Sequence, residues 1–122
     1  MADAATDVAI GDVHGQLVLL EALLTLLEQQ HDRLRIFFLG DYIDRGPSSK
    51  DVLDLLIRGP RRNGDEWKFL LGNHEALLLR CFDGWTVKWP LWLRIGGEAT
   101  LASYGVAPGR EMADALKAIP QD

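Results

Sequence analysis

Gly40-Asp41-Tyr42-Ile43-Asp44-Arg45-Gly46-Pro47 is the stretch of sequence that decides the fold. It follows a short apolar run, Arg35–Leu39, which predicts a buried strand. Two carboxylates therefore stand at the carboxyl end of a strand, where open α/β sheets bind ligands. Asp41, beside the strand, is the better candidate for a metal ligand, and Arg45 is placed to meet a phosphate. Taken alone, the stretch is equally consistent with a polar turn that carries a surface ion pair.

The same pattern of a strand followed by glycine and polar residues occurs nearer the start of the chain. Asp7–Ile10 predicts a short strand, and Gly11-Asp12-Val13-His14-Gly15 follows it. Asp12 and His14 are two residues apart, so on an extended segment their side chains point to the same side and form half of a metal site. A turn aspartate beside a surface histidine is the alternative, and it is the commoner outcome for an isolated motif of this kind.

A third occurrence follows Glu66–Leu71, which predicts a strand that ends in Gly72-Asn73-His74-Glu75. A helix is expected to continue over Ala76–Cys81. Successive turns are about 30 residues apart, which is the length of a βαβ unit. Right-handed crossovers bring all three strand ends to one edge of a parallel sheet. Because three polar turns rarely converge without a function, this arrangement favours one shared site over three unrelated turns.

Helices are predicted between and after these strands. Leucines at helical spacing predict a helix over Gln16–Gln30, with an apolar stripe wide enough for burial against a sheet. A second helix is predicted to begin at Ser48, with Asp51 completing an acidic variant of the capping box, and to stop at Gly59-Pro60. An amphipathic helix is predicted over Arg110–Ile119.

Three tryptophans, Trp85, Trp89 and Trp92, follow the third motif and are interleaved with basic residues. We expect them to pack under a loop, because large aromatic side chains usually stabilise such regions by burial. A recognition surface near the site is the alternative interpretation.

Composition and charge exclude several classes of protein. The chain has 122 residues, 48% hydrophobic and 25% charged, as in an ordinary globular domain. Its net charge of −5 argues against a nucleic-acid polymer as the main partner, although a bound metal would still admit phosphorylated substrates. With Cys81 as the single cysteine, an intrachain disulfide is excluded. No signal peptide or membrane span is recognised, so a cytoplasmic location without membrane contact is predicted.

Together the three motifs resemble those of the calcineurin-like metallophosphoesterase superfamily. The Asp44-Arg45-Gly46-Pro47 version is similar to the phosphoprotein phosphatase branch, which holds serine/threonine protein phosphatases and symmetrical diadenosine tetraphosphatases. Trp92–Leu101 is similar to bacterial members of both groups, and the resemblance extends from about Asp7 to Gly105. It implies an α/β fold: the N-terminal half of a metallophosphoesterase fold, with a mostly parallel sheet of βαβ units flanked by helices.

The resemblance also implies a centre with two divalent metal ions. Asp12 and His14 are expected to bind the first ion, Asp41 to bridge both ions, and Asn73 to bind the second. Carboxylate, imidazole and amide ligands favour manganese, with iron or zinc as alternatives.

The remaining implied roles concern the substrate. His74 is expected to act as the general acid that protonates the leaving oxygen, with Asp44 orienting it. Arg45 and Asn73 are expected to bind the phosphate.

Two features depart from the family pattern. Ile95 stands where many relatives have an asparagine. The chain has three histidines, and none follows His74, whereas family members complete the site with later histidines. We therefore expect residues 1–122 to be a single, incomplete domain, in which Asp41 and Asn73 alone hold the second ion. A missing C-terminal half or self-association would complete it.

The function predicted from this resemblance is metal-dependent hydrolysis of phosphate monoesters by metal-activated water, of the serine/threonine phosphoprotein phosphatase type. The substrate is then a phosphorylated protein. A symmetrical bis(5'-nucleosyl)-tetraphosphatase acting on a dinucleoside polyphosphate is the alternative within the family. The alternative from another class is a truncated, non-catalytic fragment that binds a metal or a partner chain.

Overall fold

The structure is a computed structural model that describes residues 4–120, in which strands and helices alternate along the first two thirds of the chain. The elements in order are β1 (Thr6–Ile10), α1 (Leu17–Gln30), β2 (Leu34–Phe38), α2 (Ser49–Arg58), β3 (Glu66–Phe69), α3 (Asn73–Phe82), α4 (Trp89–Trp92), α5 (Glu98–Ser103) and α6 (Met112–Leu116). A single 3-10 turn, Thr86–Lys88, precedes α4, and a wide π turn, Leu93–Gly97, joins α4 to α5.

The three strands form one parallel sheet in the order β1-β2-β3. Ile10, the last residue of β1, pairs with Phe38, which in turn pairs with Phe69 of β3. All three strands therefore end at the same edge of the sheet. This confirms the predicted α/β class and its succession of βαβ units.

The core lies on one face of the central strand. Leu34, Ile36 and Phe38 are fully buried, and they share one apolar cluster with Leu24 of α1 and Val52 of α2. Each such side chain contributes about 1.5–3 kcal/mol to the free energy of unfolding when it is fully buried. The central strand thus anchors the sheet edge at which the polar turns meet.

Two strands end earlier than the sequence suggests. β2 ends at Phe38 instead of Leu39, whose side chain is half-exposed. β3 ends at Phe69, and Leu70 and Leu71, both predicted to be in the strand, lie outside it and are exposed. The prediction was wrong here because β3 is an edge strand, so its apolar residues are not required to enter the core.

The apolar stripe predicted for α1 is narrower in the structure. Leu20 and Leu24 are buried, whereas Val18 and Leu19 are 79% and 66% exposed. The buried residues of α1 are Leu20 and Leu24, so only part of its circumference meets other elements. The prediction that Val18, Leu19 and Leu26 widen the buried stripe was therefore wrong.

Two local predictions about the other helices also need correction. Ser48 is at the N-cap of α2, but its side chain makes no capping hydrogen bond; its backbone N–H instead donates to the Gly15 carbonyl at 3.0 Å. Helix α6 covers Met112–Leu116, half of the predicted Arg110–Ile119.

Within residues 4–120, no helix combines the length and apolar character needed to cross a membrane.

Candidate metal centre and acid–base pair

The three polar turns interlock through their backbones. The His14 N–H donates to the Asp41 carbonyl at 2.9 Å, which joins the first turn to the second. The second and third turns meet at Gly40 and Gly72, where a side chain on Gly40 would collide with the Gly72 backbone. Gly40 also has a φ of 106°, which L side chains rarely adopt. The glycine before Asp41 is therefore required both by its conformation and by the close approach of the third turn.

Asp12, His14 and Asp41 form a potential metal centre at this edge. One ligand atom from each lies within 4.8 Å of the other two. The Nδ1 atom of His14 is 2.7 Å from the Ile43 carbonyl, which only accepts hydrogen bonds, so Nδ1 carries the proton. The Nε2 lone pair is then free to bind a cation, as in histidine ligands oriented by a backbone carbonyl. The donor atoms of these three residues therefore fit a divalent transition-metal ion.

Backbone strain is concentrated in the first two of the three polar turns. Within residues 4–120, the non-glycine residues with a positive φ are Asp12, His14, Asp41, Asp44 and Arg45. Each such conformation costs about 1–3 kcal/mol, and conformations of this kind cluster at functional sites. The finding corrects one argument from sequence: Asp12 and His14 converge because their backbones are left-handed, not because the segment is extended.

Glu75, in the first turn of α3, holds the Asp41 turn from the opposite side. Its carboxylate accepts the backbone N–H groups of Asp41 at 2.6 Å, Tyr42 at 2.8 Å and Ile43 at 3.2 Å. It also accepts the Gly72 N–H at 3.0 Å. No role for Glu75 was predicted from the sequence, because three of its four backbone partners lie more than 30 residues away in the chain.

Asp44 and His74 form the second part of the site. Asp44 is completely buried, and its Oδ2 atom lies 2.8 Å from the Nδ1 atom of His74. The His74 ring is 4.6 Å from the His14 ring, centroid to centroid, so the pair borders the potential metal ligands. A histidine bonded to a carboxylate through Nδ1 presents Nε2 for proton transfer.

Trp92 and Thr100 complete the surroundings of Asp44. The Trp92 indole N–H donates to Oδ2 at 2.8 Å, and the Thr100 hydroxyl donates to Oδ1 at 2.6 Å. Burial raises the pKa of the Asp44 carboxyl above its ordinary value, while the hydrogen bonds from Thr100, His74 and Trp92 oppose that rise in pKa. Neither residue was predicted as part of the site. The available signal was that a buried indole N–H usually requires an acceptor.

The other two predicted site residues lie at the rim. Asn73 is exposed and begins α3, one residue before His74, whose backbone N–H donates to Asp41 Oδ1 at 3.0 Å. Arg45 is also exposed, and its Nε–H donates to the Ile95 carbonyl at 3.3 Å. Because this contact uses the Ile95 backbone, the departure from asparagine at that position does not remove it.

Comparison with known proteins agrees with this geometry. The model of the calcineurin-like phosphoesterase family matches residues 8–119. Serine/threonine-protein phosphatase 2 of Escherichia coli strain K12 is 38% identical over 89 residues, which are 73% of this chain and 37% of that protein. Symmetrical bis(5'-nucleosyl)-tetraphosphatases are 39% identical in Paracidovorax citrulli and 37% identical in Psychromonas ingrahamii, each over 75 residues or 62% of this chain.

The matches cover only a part of these relatives. The matched residues are 25% and 26% of the two tetraphosphatases, so this chain spans between a quarter and two fifths of the length of the relatives it matches.

Proposed function

The chain belongs to the calcineurin-like phosphoesterase family, and from this premise we propose that it hydrolyses phosphate monoesters as a serine/threonine phosphoprotein phosphatase-like enzyme. The observation that carries the proposal is the position of the Asp44–His74 pair beside the Asp12, His14 and Asp41 cluster. A phosphorylated protein is the proposed substrate.

Asp12, His14, Asp41 and Asn73 are the residues proposed to hold two divalent ions, with manganese favoured over iron or zinc. Such ions supply Lewis acidity and an activated water when they are bound. The left-handed backbone at Asp12, His14 and Asp41 preorganises the ligands before any cation arrives. The Ile43 carbonyl fixes the tautomer of His14, and this leaves the Nε2 lone pair free to bind a cation.

His74 is proposed to protonate the leaving oxygen. The Asp44 carboxylate accepts the Nδ1–H of His74 and stabilises the charged imidazolium, which then gives the proton on Nε2 to the departing oxygen. Arg45, with Asn73, is proposed to bind the phosphate, since an exposed guanidinium at the rim suits the oxygens of a bound phosphoryl group.

A second candidate is supported by the relatives named as symmetrical bis(5'-nucleosyl)-tetraphosphatases. The same residues would then act on the phosphoanhydride of a dinucleoside tetraphosphate. A panel of phosphoserine and phosphothreonine peptides against diadenosine tetraphosphate separates the two, because the preferred substrate shows the higher kcat/KM.

The first test is manganese-stimulated hydrolysis of p-nitrophenyl phosphate by the purified chain, with Asp41→Asn as the test variant. Asp32→Asn is the control, because Asp32 is exposed and precedes β2, at the opposite end of that strand from the Asp41 turn. Activity that requires both manganese and Asp41 supports the proposal. Manganese binding by calorimetry without turnover supports instead the truncated, non-catalytic fragment, and the absence of both contradicts the proposed metal centre.

A further inference from the structure

Helices α4 and α5 each contribute one side chain that hydrogen-bonds to Asp44 of the acid–base pair. Trp92 is fully buried at the end of α4, and Thr100 is fully buried in α5. They lie 48 and 56 residues after Asp44 in the chain, and both donate to its carboxylate. The part of the chain that follows the third motif therefore contributes directly to the surroundings of Asp44.

The two donors act on different oxygens of the carboxylate. Oδ2 receives both the Trp92 N–H and the Nδ1–H of His74, each at 2.8 Å, whereas Oδ1 receives the Thr100 hydroxyl at 2.6 Å. The Thr100 oxygen also accepts the Asp44 backbone N–H at 2.8 Å, which connects this side chain to the strained turn. With both oxygens engaged, rotation of the carboxylate requires breaking at least one of these hydrogen bonds.

The position of the indole ring is itself fixed by packing. Gly97 lies against the ring, so that a Cβ atom there would be 2.6 Å from Trp92 Cε2. The ring of Trp89 also packs against the ring of Trp92, with the two ring centroids 5.5 Å apart. A ring held in this way presents its N–H in one direction only.

We propose that Trp92 and Thr100 are positioning residues of the acid–base pair, fixing the Asp44 carboxylate so that it holds the His74 ring in the orientation that protonates the leaving oxygen. The kinetic consequence of this role rests on the proposed function. The hydrogen bonds themselves can be tested whether or not the chain turns over a substrate. A tryptophan that only fills the core would not restrain His74 at all.

Nuclear magnetic resonance of the ¹⁵N-labelled chain tests the arrangement without requiring activity. We expect a slowly exchanging Trp92 indole proton that moves in Asp44→Asn, and a His74 Nδ1–H signal that shifts or broadens in Trp92→Phe. Trp85→Phe is the matched control, since the half-exposed Trp85 ring contacts Arg80 and not Asp44. An unchanged His74 signal in folded Trp92→Phe overturns the proposal.

Kinetics test the consequence for the leaving group. Trp92→Phe and Thr100→Val should lower kcat about tenfold for phenyl phosphate, and less for p-nitrophenyl phosphate, whose leaving oxygen needs a proton less. KM should change little, and Thr100→Ser should restore most of the rate because it keeps the hydroxyl. An equal loss for both esters overturns the proposal, since it indicates a general structural defect.

Two further outcomes are distinguished by the same design. If the unmodified chain hydrolyses neither ester with manganese, the proposed function fails, and the His74 signal still decides whether Trp92 positions the pair. If Trp92→Phe does not fold, 3-benzothienylalanine at position 92 keeps the ring shape and removes only the N–H donor. A His74 signal unaffected by that replacement overturns the proposal.

Discussion

The carboxylate of Glu75 lies 2.6 Å from the backbone nitrogen of Asp41, 34 residues earlier in the chain. The same carboxylate accepts the next two backbone N–H groups, so one side chain of α3 accepts hydrogen bonds from three consecutive backbone N–H groups of the Asp41 turn. The turn after β2 and the start of α3 are therefore one structural unit. This unit sets the distance between Asp41 and His74, whose backbone N–H donates to Asp41 Oδ1.

Removing the Glu75 carboxylate should destabilise the chain. Glu75→Ala leaves four partly buried backbone N–H groups without their acceptor. We expect a loss of about 3 kcal/mol or more in the free energy of unfolding. Glu75→Gln keeps one acceptor oxygen and should lose less. Urea unfolding followed by circular dichroism measures both, with the exposed Glu21→Gln as control. Equal stability of Glu75→Ala and the unmodified chain would contradict this structural role.

Manganese should stabilise the folded chain through the Asp12, His14 and Asp41 cluster. At a concentration of about 100 times the Kd, binding to the folded state alone adds about 2.7 kcal/mol, or a Tm increase of about 10 °C for a chain of this size. Asp12→Asn should remove most of the increase, and Asp32→Asn should retain it. Differential scanning calorimetry with and without chelator measures the shift. An undiminished shift in Asp12→Asn would place the bound ion elsewhere.

Gly97→Ala should disturb the ring that contacts Asp44. The new methyl group would be 2.6 Å from Trp92 Cε2, so the ring or the π turn must move, at a cost of about 1–3 kcal/mol. Gly11→Ala is the matched control, because a Cβ there meets only Leu39 Cδ1, at 3.9 Å. Its stability should stay within about 0.5 kcal/mol of the unmodified chain. Chemical unfolding of both variants gives the comparison, and equal losses would show that Gly97 has no special packing role.

Tyr42 should make the chain less stable at alkaline pH. Burial raises the pKa of the Tyr42 phenol above its ordinary value of 10.0, and the nearby Glu75 carboxylate raises this pKa further. Between the ordinary and the raised pKa the folded chain holds more protons than the unfolded chain, so the free energy of unfolding falls as the pH rises. Below pH 10 this contribution is fully present.

The test of this dependence is Tyr42→Phe. The variant loses the hydroxyl, which lies 2.7 Å from the Leu70 carbonyl, and should be about 1 kcal/mol less stable near neutral pH. Above pH 10 its free energy of unfolding should decline less steeply than that of the unmodified chain. Urea unfolding between about pH 8 and about pH 11 measures both slopes. Parallel curves would show that Tyr42 does not carry the dependence.

The sequence by itself determined the order of elements and the polar turns that converge at one edge of the sheet. Two local patterns require no knowledge of distant contacts. One is the burial of every second residue of β2, at Leu34, Ile36 and Phe38, and the other is the polar turn after each strand. The βαβ spacing then placed Asp12, Asp41 and Asn73 at one edge, because the strands are parallel and their carboxyl ends therefore meet at the same edge of the sheet. The family model matches residues 8–119, a range that contains all three motifs.

Only the tertiary structure decided which side chains surround the Asp41–Asp44 turn. Glu75, Trp92 and Thr100 contact the Asp41–Asp44 turn across 32 to 56 residues of chain, and no periodicity encodes such a pairing. The exposure of Val18 and Leu71 was also not predictable from the sequence, because burial depends on what packs over a residue as well as on its own polarity. Local patterns determine the secondary structure of a segment, whereas hydrogen bonds to a buried carboxylate depend on where the later helices pack in the fold.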